Sequence, residues 1–132
     1  MGAWDADSFD NDTACDWAGN FAESTDLRMV FEVFDKVLDE DEYLDSTTAC
    51  RALAACEVIA RLKGNWGKRD PYSEDVDNWV LAHPMQVPRD YTERARAVVD
   101  RVLSPISELN DLWENDPDWL VATGDLRKRL AD

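Results

Sequence analysis

Carboxylates are the side chains of this chain with the most evident capacity for chemistry, and they are concentrated in its first third. The 132 residues carry a formal net charge of −15. Residues 1–48 hold 14 acidic and 2 basic residues, whereas residues 49–132 hold 15 acidic and 12 basic residues. A field of this sign repels nucleic acids and anionic membranes and attracts cationic molecules. We therefore expect a basic protein as partner, and no direct binding of nucleic acid or membrane.

Two groups of acidic residues are candidate partner-binding residues. The first lies beside Trp4, Phe9 and Trp17 near the N-terminus and comprises Asp5, Asp7, Asp10 and Asp12. The second is the uninterrupted run Asp39, Glu40, Asp41 and Glu42. Both groups predict a docking face for a cationic protein or a mimic of nucleic-acid phosphates. In the alternative interpretation, these acids cap helices, form turns and keep the protein soluble.

A third candidate is Trp66, in the basic loop Asn65-Trp66-Gly67-Lys68-Arg69. An exposed tryptophan beside arginine is typical of an interface anchor. The alternative is that the indole folds back onto the core.

Motifs for catalysis, metals and cofactors are absent from the sequence. Nucleotide-binding and nucleophile-elbow motifs are missing, and a single histidine with three scattered cysteines does not give zinc spacing. Aspartates 5, 7 and 16 fall at calcium-loop positions, but Asp10 stands where that loop needs glycine. The position of His83 before Pro84 is typical of a capping or surface histidine. The three cysteines are expected to be small buried residues. We therefore expect no metal and no cofactor, and we assign no catalytic residue.

Helical periodicity dominates the elements that must position these residues. Leu27, Val30, Phe31, Phe34, Val37 and Leu38 form one apolar stripe, and residues 47–63 are apolar almost all round, which predicts a central helix. Further helices are predicted over 12–22, from a Ser73 cap through 82, and over 91–103. Two more are predicted to begin at Ser104-Pro105 and Asp116-Pro117, with the proline at the first helical position. The expected caps of the first three helices are Asp10 or Asp12, Ser24 or Thr25, and Ser46.

These elements predict an all-α fold, a compact single-domain helical bundle of about six to seven helices over residues 1–132. Residues 1–12 are expected to be an ordered N-terminal segment, because Trp4 and Phe9 need burial. No apolar run is long enough to span a membrane, and no signal-peptide pattern is present, so we expect a cytoplasmic protein.

The opening MGAWDADSFDNDTACDW resembles the start of a bacterial family known as domain of unknown function 4259. That family typically begins Met-Gly-x-Trp-Gly and continues Phe-x-Asn-Asp-x-Ala-x-Asp-Trp. The matching residues are Gly2, Trp4, Phe9, Asn11, Asp12, Ala14, Asp16 and Trp17, whereas Asp5 replaces the usual glycine. The similarity extends over nearly the whole chain, and it implies no reaction.

The function expected from the sequence is therefore that of an acidic protein-interaction module rather than an enzyme. Two forms of it are open: an immunity-type inhibitor that neutralises a toxin, and a nucleic-acid mimic that binds a nucleic-acid-binding protein. The alternative is a small hydrolase or transferase that uses buried carboxylates. Such an enzyme requires a deep pocket with an Asp or Glu whose pKa is raised. The sequence does not determine the oligomeric state.

Overall fold

The computed structural model describes residues 6–131, and this part of the chain is an all-α bundle, as predicted. Seven helices are found within it: α1 (Asp12–Phe21), α2 (Arg28–Leu38), α3 (Ser46–Leu62), α4 (Glu74–Ala82), α5 (Arg89–Val102), α6 (Glu108–Trp113) and α7 (Pro117–Leu130). Within the same residues, none of the helices has both the length and the apolar character needed to cross a membrane.

Helix α3 is the centre of the bundle, as its all-round apolar composition predicts. It packs against each of the other six helices of the described chain. Its alanines at positions 49, 52, 54, 55 and 60 are buried, and these small side chains let the surrounding helices approach closely. Because α3 runs through the centre of the bundle, residues near its two ends lie on opposite sides of it.

Aromatic side chains fill the space between α1 and α4. Trp17 stacks on Phe21 with 5.1 Å between ring centroids, and Phe21 lies 4.5 Å from Trp79. The ring of His83 in turn stacks on that of Trp79 with 4.1 Å between centroids, and His83 Nδ1 lies 2.7 Å from the carbonyl oxygen of Trp79. His83 is the C-terminal cap of α4, which confirms the predicted capping role.

Helices α1, α4 and α7 begin where they were predicted, whereas the starts of α3, α5 and α6 are displaced by one to three residues and the predicted caps of α1, α2 and α3 are wrong. Asn11 caps α1 and Asp45 caps α3, each by accepting a backbone hydrogen bond from the residue three positions later. Ser24 does not cap α2, because its hydroxyl donates to the carbonyl of Phe21 at 2.7 Å. Helix α6 begins after Ser107 rather than at Ser104-Pro105.

One isolated bridge joins the loop before α3 to the turn before α6. Leu44 pairs in parallel with Ser107, so the chain segments around these two residues lie side by side. The bridge consists of the Leu44 N–H donating to Ile106 O at 2.9 Å and the Glu108 N–H donating to Leu44 O at 2.8 Å.

Phe9 is buried against the core, as expected for an ordered N-terminal segment. Trp4, the other residue on which that expectation depends, lies outside the described residues.

Candidate functional site

The predicted partner-binding residues that the structure describes lie near the two ends of α3 rather than on one surface. Asp45 caps the N-terminal end of this helix and directly follows the run of acids 39–42. The N-terminal acids lie near the other end, where Ser8 donates to Glu57 at 2.8 Å. The 16 residues from Asp45 to Arg61 span about 24 Å at the α-helical rise. The two groups therefore belong to separate surfaces.

The acidic loop, residues 39–45, carries the second group of predicted residues. The side chains of Asp39, Glu40, Asp41 and Glu42 are exposed. Within residues 6–131, none of these four carboxylates forms an ion pair. Lys36 lines the same shallow cleft as Asp39 and Glu40 without pairing with either. The run therefore presents four negative charges to solvent.

Arg101, near the end of α5, holds the backbone of the acidic loop. Its guanidinium donates to the carbonyl oxygens of Glu40 and Glu42, and Nη1 also donates to Ile106 O at 3.0 Å. Because Arg101 satisfies the backbone and not the carboxylates, the four side chains stay free while the loop is fixed.

Two nearby acids are used inside the structure and do not add to the free charge. Asp45 accepts from the N–H and hydroxyl groups of Thr48 at 2.9 and 2.8 Å, and Glu108 accepts from the Ser46 N–H at 2.7 Å. Burial opposes ionisation of Asp45, but the hydrogen bonds from Thr48 and the charge of Lys36 outweigh it and lower its pKa. These two carboxylates fix the start of α3 beside α6.

Exposed apolar side chains lie next to the acidic loop. Tyr43 is 49% exposed, and its hydroxyl donates to Asp111 Oδ2 at 2.6 Å. This hydrogen bond, with partial desolvation and the charge of Asp111, raises the pKa of Tyr43 to about 12. Ile106 and Leu112 are 47% and 48% exposed. We call the acidic loop together with residues 106–112 the acidic loop face.

The described members of the N-terminal group, Asp7, Asp10 and Asp12, do not form a second free acidic face. The Asp7 and Asp10 carboxylates lie 3.5 and 3.7 Å from Lys68 Nζ, so a basic residue of this chain already faces them. Asp10 is also buried, which rules it out as a partner contact in this conformation. Asp12 is exposed in the first turn of α1, where it complements the helix dipole. Asp5 lies outside the described residues.

Trp66 folds back onto the core, as the alternative interpretation of this residue predicted, and is not an exposed interface anchor. It is half-buried and packs against the core cluster. The guanidinium of Arg69 lies 4.5 Å from its ring centroid, and that of Arg61 lies 6.0 Å away. Trp66 is therefore enclosed by cations of its own chain.

Beneath Lys68 and Trp66 lies a buried charged cluster that the sequence reasoning missed; we call it the Glu57 network. Glu57 accepts hydrogen bonds from Arg61, from Arg129 at 2.8 and 3.0 Å and from Ser8 at 2.8 Å. Arg61 also pairs with Asp77 at 2.7 Å. Glu57 and Arg61 are spaced i, i+4 in a mostly apolar stretch of α3, and this spacing is the one local signal of a buried pair. Arg129 is 72 positions away, so no local pattern reveals it.

The Glu57 network bears on the enzyme alternative. Burial acts to raise the pKa of Glu57, but the hydrogen bonds and charges of Arg129 and Arg61 outweigh it and lower the pKa. The cavity beside the network measures about 30 Å³, room for about one water molecule. Glu57 thus lacks both the raised pKa and the deep pocket that a general acid needs.

Among residues 6–131, no group of three or more histidine, cysteine or acidic side chains is placed to hold a metal ion. The buried thiols are equally unsuited to nucleophilic roles. Desolvation raises the pKa of Cys50 to about 11 and that of Cys56 well above its ordinary value.

Comparison with known proteins gives one match. A protein-family model described as "Domain of unknown function (DUF4259)" matches residues 2–122. No curated protein and no solved structure matches the chain.

Proposed function

The chain belongs to the family described as domain of unknown function 4259, whose description assigns no activity, and we propose from its acidic loop face that it is an interaction module for a basic protein. The observation that carries the proposal is the set of four exposed carboxylates, Asp39 to Glu42, none of which forms an ion pair within residues 6–131. Because the described part of the chain offers these carboxylates no ion-pair partner, they attract cations from other molecules.

The fixed position of these four charges favours a role in partner binding over a role in solubility alone. Arg101 orders the backbone of the acidic loop, so a partner does not have to order the loop on binding. Charges held on an ordered surface accelerate encounter with a cationic protein and select its orientation. Salt screens this attraction over about 8 Å at physiological ionic strength.

The apolar residues of the acidic loop face supply the apolar contact area that charged side chains do not provide. Interfaces combine an apolar or aromatic centre with a charged rim, and tyrosine is enriched among the residues that dominate binding energy. Tyr43 directly follows the four acids, the backbone of Ile106 shares Arg101 with the acidic loop, and Leu112 is exposed on α6 next to Asp111, which binds Tyr43; these three residues offer such a centre. The partner expected from this arrangement carries arginine or lysine side chains around an apolar patch.

The experiment that tests the proposal is capture of basic proteins by three forms of the full chain at low and physiological salt. The loop variant carries D39N, E40Q, D41N and E42Q. A matched control carries E23Q, E74Q, D90N and D118N, which neutralise four exposed acids elsewhere and give the same net charge. We expect the wild type and the control to capture the same basic protein, and the loop variant to lose it.

Equal capture by the loop variant and the wild type would refute the acidic loop face as the binding surface. Loss of capture by both variants alike would show a general charge effect and would also refute it. The identity of the captured protein distinguishes the two forms of the proposal. A toxin indicates an immunity-type inhibitor, whereas a nucleic-acid-binding protein that duplex DNA displaces indicates a phosphate mimic. A cytoplasmic location stays a prediction.

A further inference from the structure

A groove of about 520 Å³ lies between the start of α2, the end of α4 and the start of α5. Small-molecule sites typically occupy about 300–1,000 Å³ and are mostly apolar with a few polar groups. The rings of Phe31, Trp79, His83 and Tyr91 line this groove, and its charged lining residues are Arg28 and Asp26. Arg28 and Asp39 are 11 residues apart along α2, about 16 Å, so this groove is separate from the acidic loop face.

Internal contacts fix the rings of the groove. His83 stacks on Trp79 at 4.1 Å, and the indole Nε1 of Trp79 donates to Ser24 O at 2.8 Å. Phe31 and Tyr91 meet edge to face at 4.7 Å. The walls come from separate elements and hold each other in place, which makes the groove preformed.

His83 has a defined hydrogen-bonding capacity toward the groove. Its Nδ1 lies 2.7 Å from the carbonyl oxygen of Trp79, and a carbonyl only accepts, so Nδ1 carries the hydrogen. In the neutral ring Nε2 is then an acceptor. Within residues 6–131, no hydrogen-bond partner lies at Nε2.

Arg28 supplies a cation that the rest of the described chain does not use. Its side chain is exposed, and its guanidinium makes no ion pair or hydrogen bond within residues 6–131. Only its backbone N–H is engaged, by Asp26 Oδ1 at 3.0 Å. A guanidinium matches a carboxylate with two parallel hydrogen bonds.

We propose that this groove binds a small aromatic carboxylate. The carboxylate pairs with Arg28, the flat body packs against the rings, and a ring N–H or O–H of the ligand donates to His83 Nε2. The net negative charge of the chain does not prevent this. The acids of the loop lie about two Debye lengths away at physiological salt. Asp26 lines the groove itself, but its Oδ1 accepts the backbone N–H of Arg28 at 3.0 Å, which leaves the Arg28 guanidinium for the ligand.

An NMR titration of the isotopically labelled full chain with indole-3-acetate tests the proposal. This probe has a flat ring, an N–H and a carboxylate. We expect saturable shifts of the Trp79 indole N–H and of the amides of His83 and Tyr91. R28Q is expected to weaken binding about fivefold, the effect of an exposed charge pair. R96Q removes the same charge outside the groove and is expected to leave the affinity unchanged.

Indole-3-acetamide, which lacks the charge, is expected to bind wild type and R28Q equally and about fivefold more weakly than indole-3-acetate binds wild type. The proposal is overturned if indole-3-acetate gives no saturable shifts at the groove. It is also overturned if R28Q and the amide both leave the affinity unchanged, because Arg28 would then recognise no carboxylate.

Discussion

Glu57 is the buried carboxylate on which the side chains of the Glu57 network converge. Removing its charge is therefore expected to destabilise the fold. The change E57Q keeps the size of the side chain and one accepting oxygen. It deprives Arg61, Arg129 and Ser8 of the carboxylate to which all three donate. Both arginine side chains are largely buried, so water cannot replace the lost partner fully.

The magnitude follows from what remains after the change. Breaking a buried ion pair by removing one partner costs about 3–5 kcal/mol. Asp77 still faces Arg61 and Asp125 still faces Arg129, at 2.7 and 2.8 Å, so we expect the lower end, about 3 kcal/mol. A domain of this size has about 5–15 kcal/mol of stability, so the variant is expected to remain folded.

The same reasoning predicts how the loss depends on pH. The folded-state pKa of Glu57 lies below its ordinary value of 4.5, so its charge stabilises the native state above that pH. This stabilisation disappears as the pH falls below about 4.5 through the folded-state pKa. The difference in stability between wild type and E57Q is therefore expected to be constant near neutrality and to shrink in acid.

Urea unfolding followed by far-UV circular dichroism at several pH values measures this difference. The control is E93Q, which removes an exposed partner of Arg89 and is expected to cost less than about 1 kcal/mol. A loss below about 1 kcal/mol for E57Q at neutral pH would refute the view that the network is a stabilising, fully paired cluster. A difference that grows in acid would contradict the direction of the Glu57 pKa.

Three further predictions concern other parts of the molecule. In a spectrophotometric titration, D111N is expected to move the tyrosine that titrates at about 12, Tyr43, toward its ordinary value of 10; an unchanged titration would contradict the hydrogen bond to Asp111. Disulfide-exchange labelling of the native protein is expected to spare Cys56, which is fully buried with a raised pKa, and to reach the half-buried Cys15 first; early reaction of Cys56 would contradict its burial. Ala55→Leu is expected to cost about 1–3 kcal/mol in urea unfolding, because its site on α3 has no space for a larger side chain; a neutral effect would show looser packing.

The fold was predictable because its main signals are local. The apolar stripe of α2 and the all-round apolar composition of α3 follow from residues close together in the chain. Helix starts were less predictable, because Asn11, Asp45 and Ser107 compete with neighbouring serines and aspartates that are equally good caps in sequence.

The candidate site was only partly predictable, because pairing across the fold decides which charges remain free. Asp10 and Glu42 look alike in sequence, yet one is buried near Lys68 and the other is exposed. The contact from Arg101 to Glu40 in the acidic loop joins residues 61 positions apart, and the contact from Arg129 to Glu57 joins residues 72 positions apart. No local pattern carries this information.

The most direct test of the central claim is a calorimetric titration of the captured basic partner into the wild type, the loop variant and the matched control over a range of salt concentrations. We expect the loop variant to lose at least tenfold in affinity and most of the salt dependence, while the control keeps both. Equal affinities and equal salt slopes for the wild type and the loop variant would contradict the claim that the four free carboxylates of the acidic loop attract the partner.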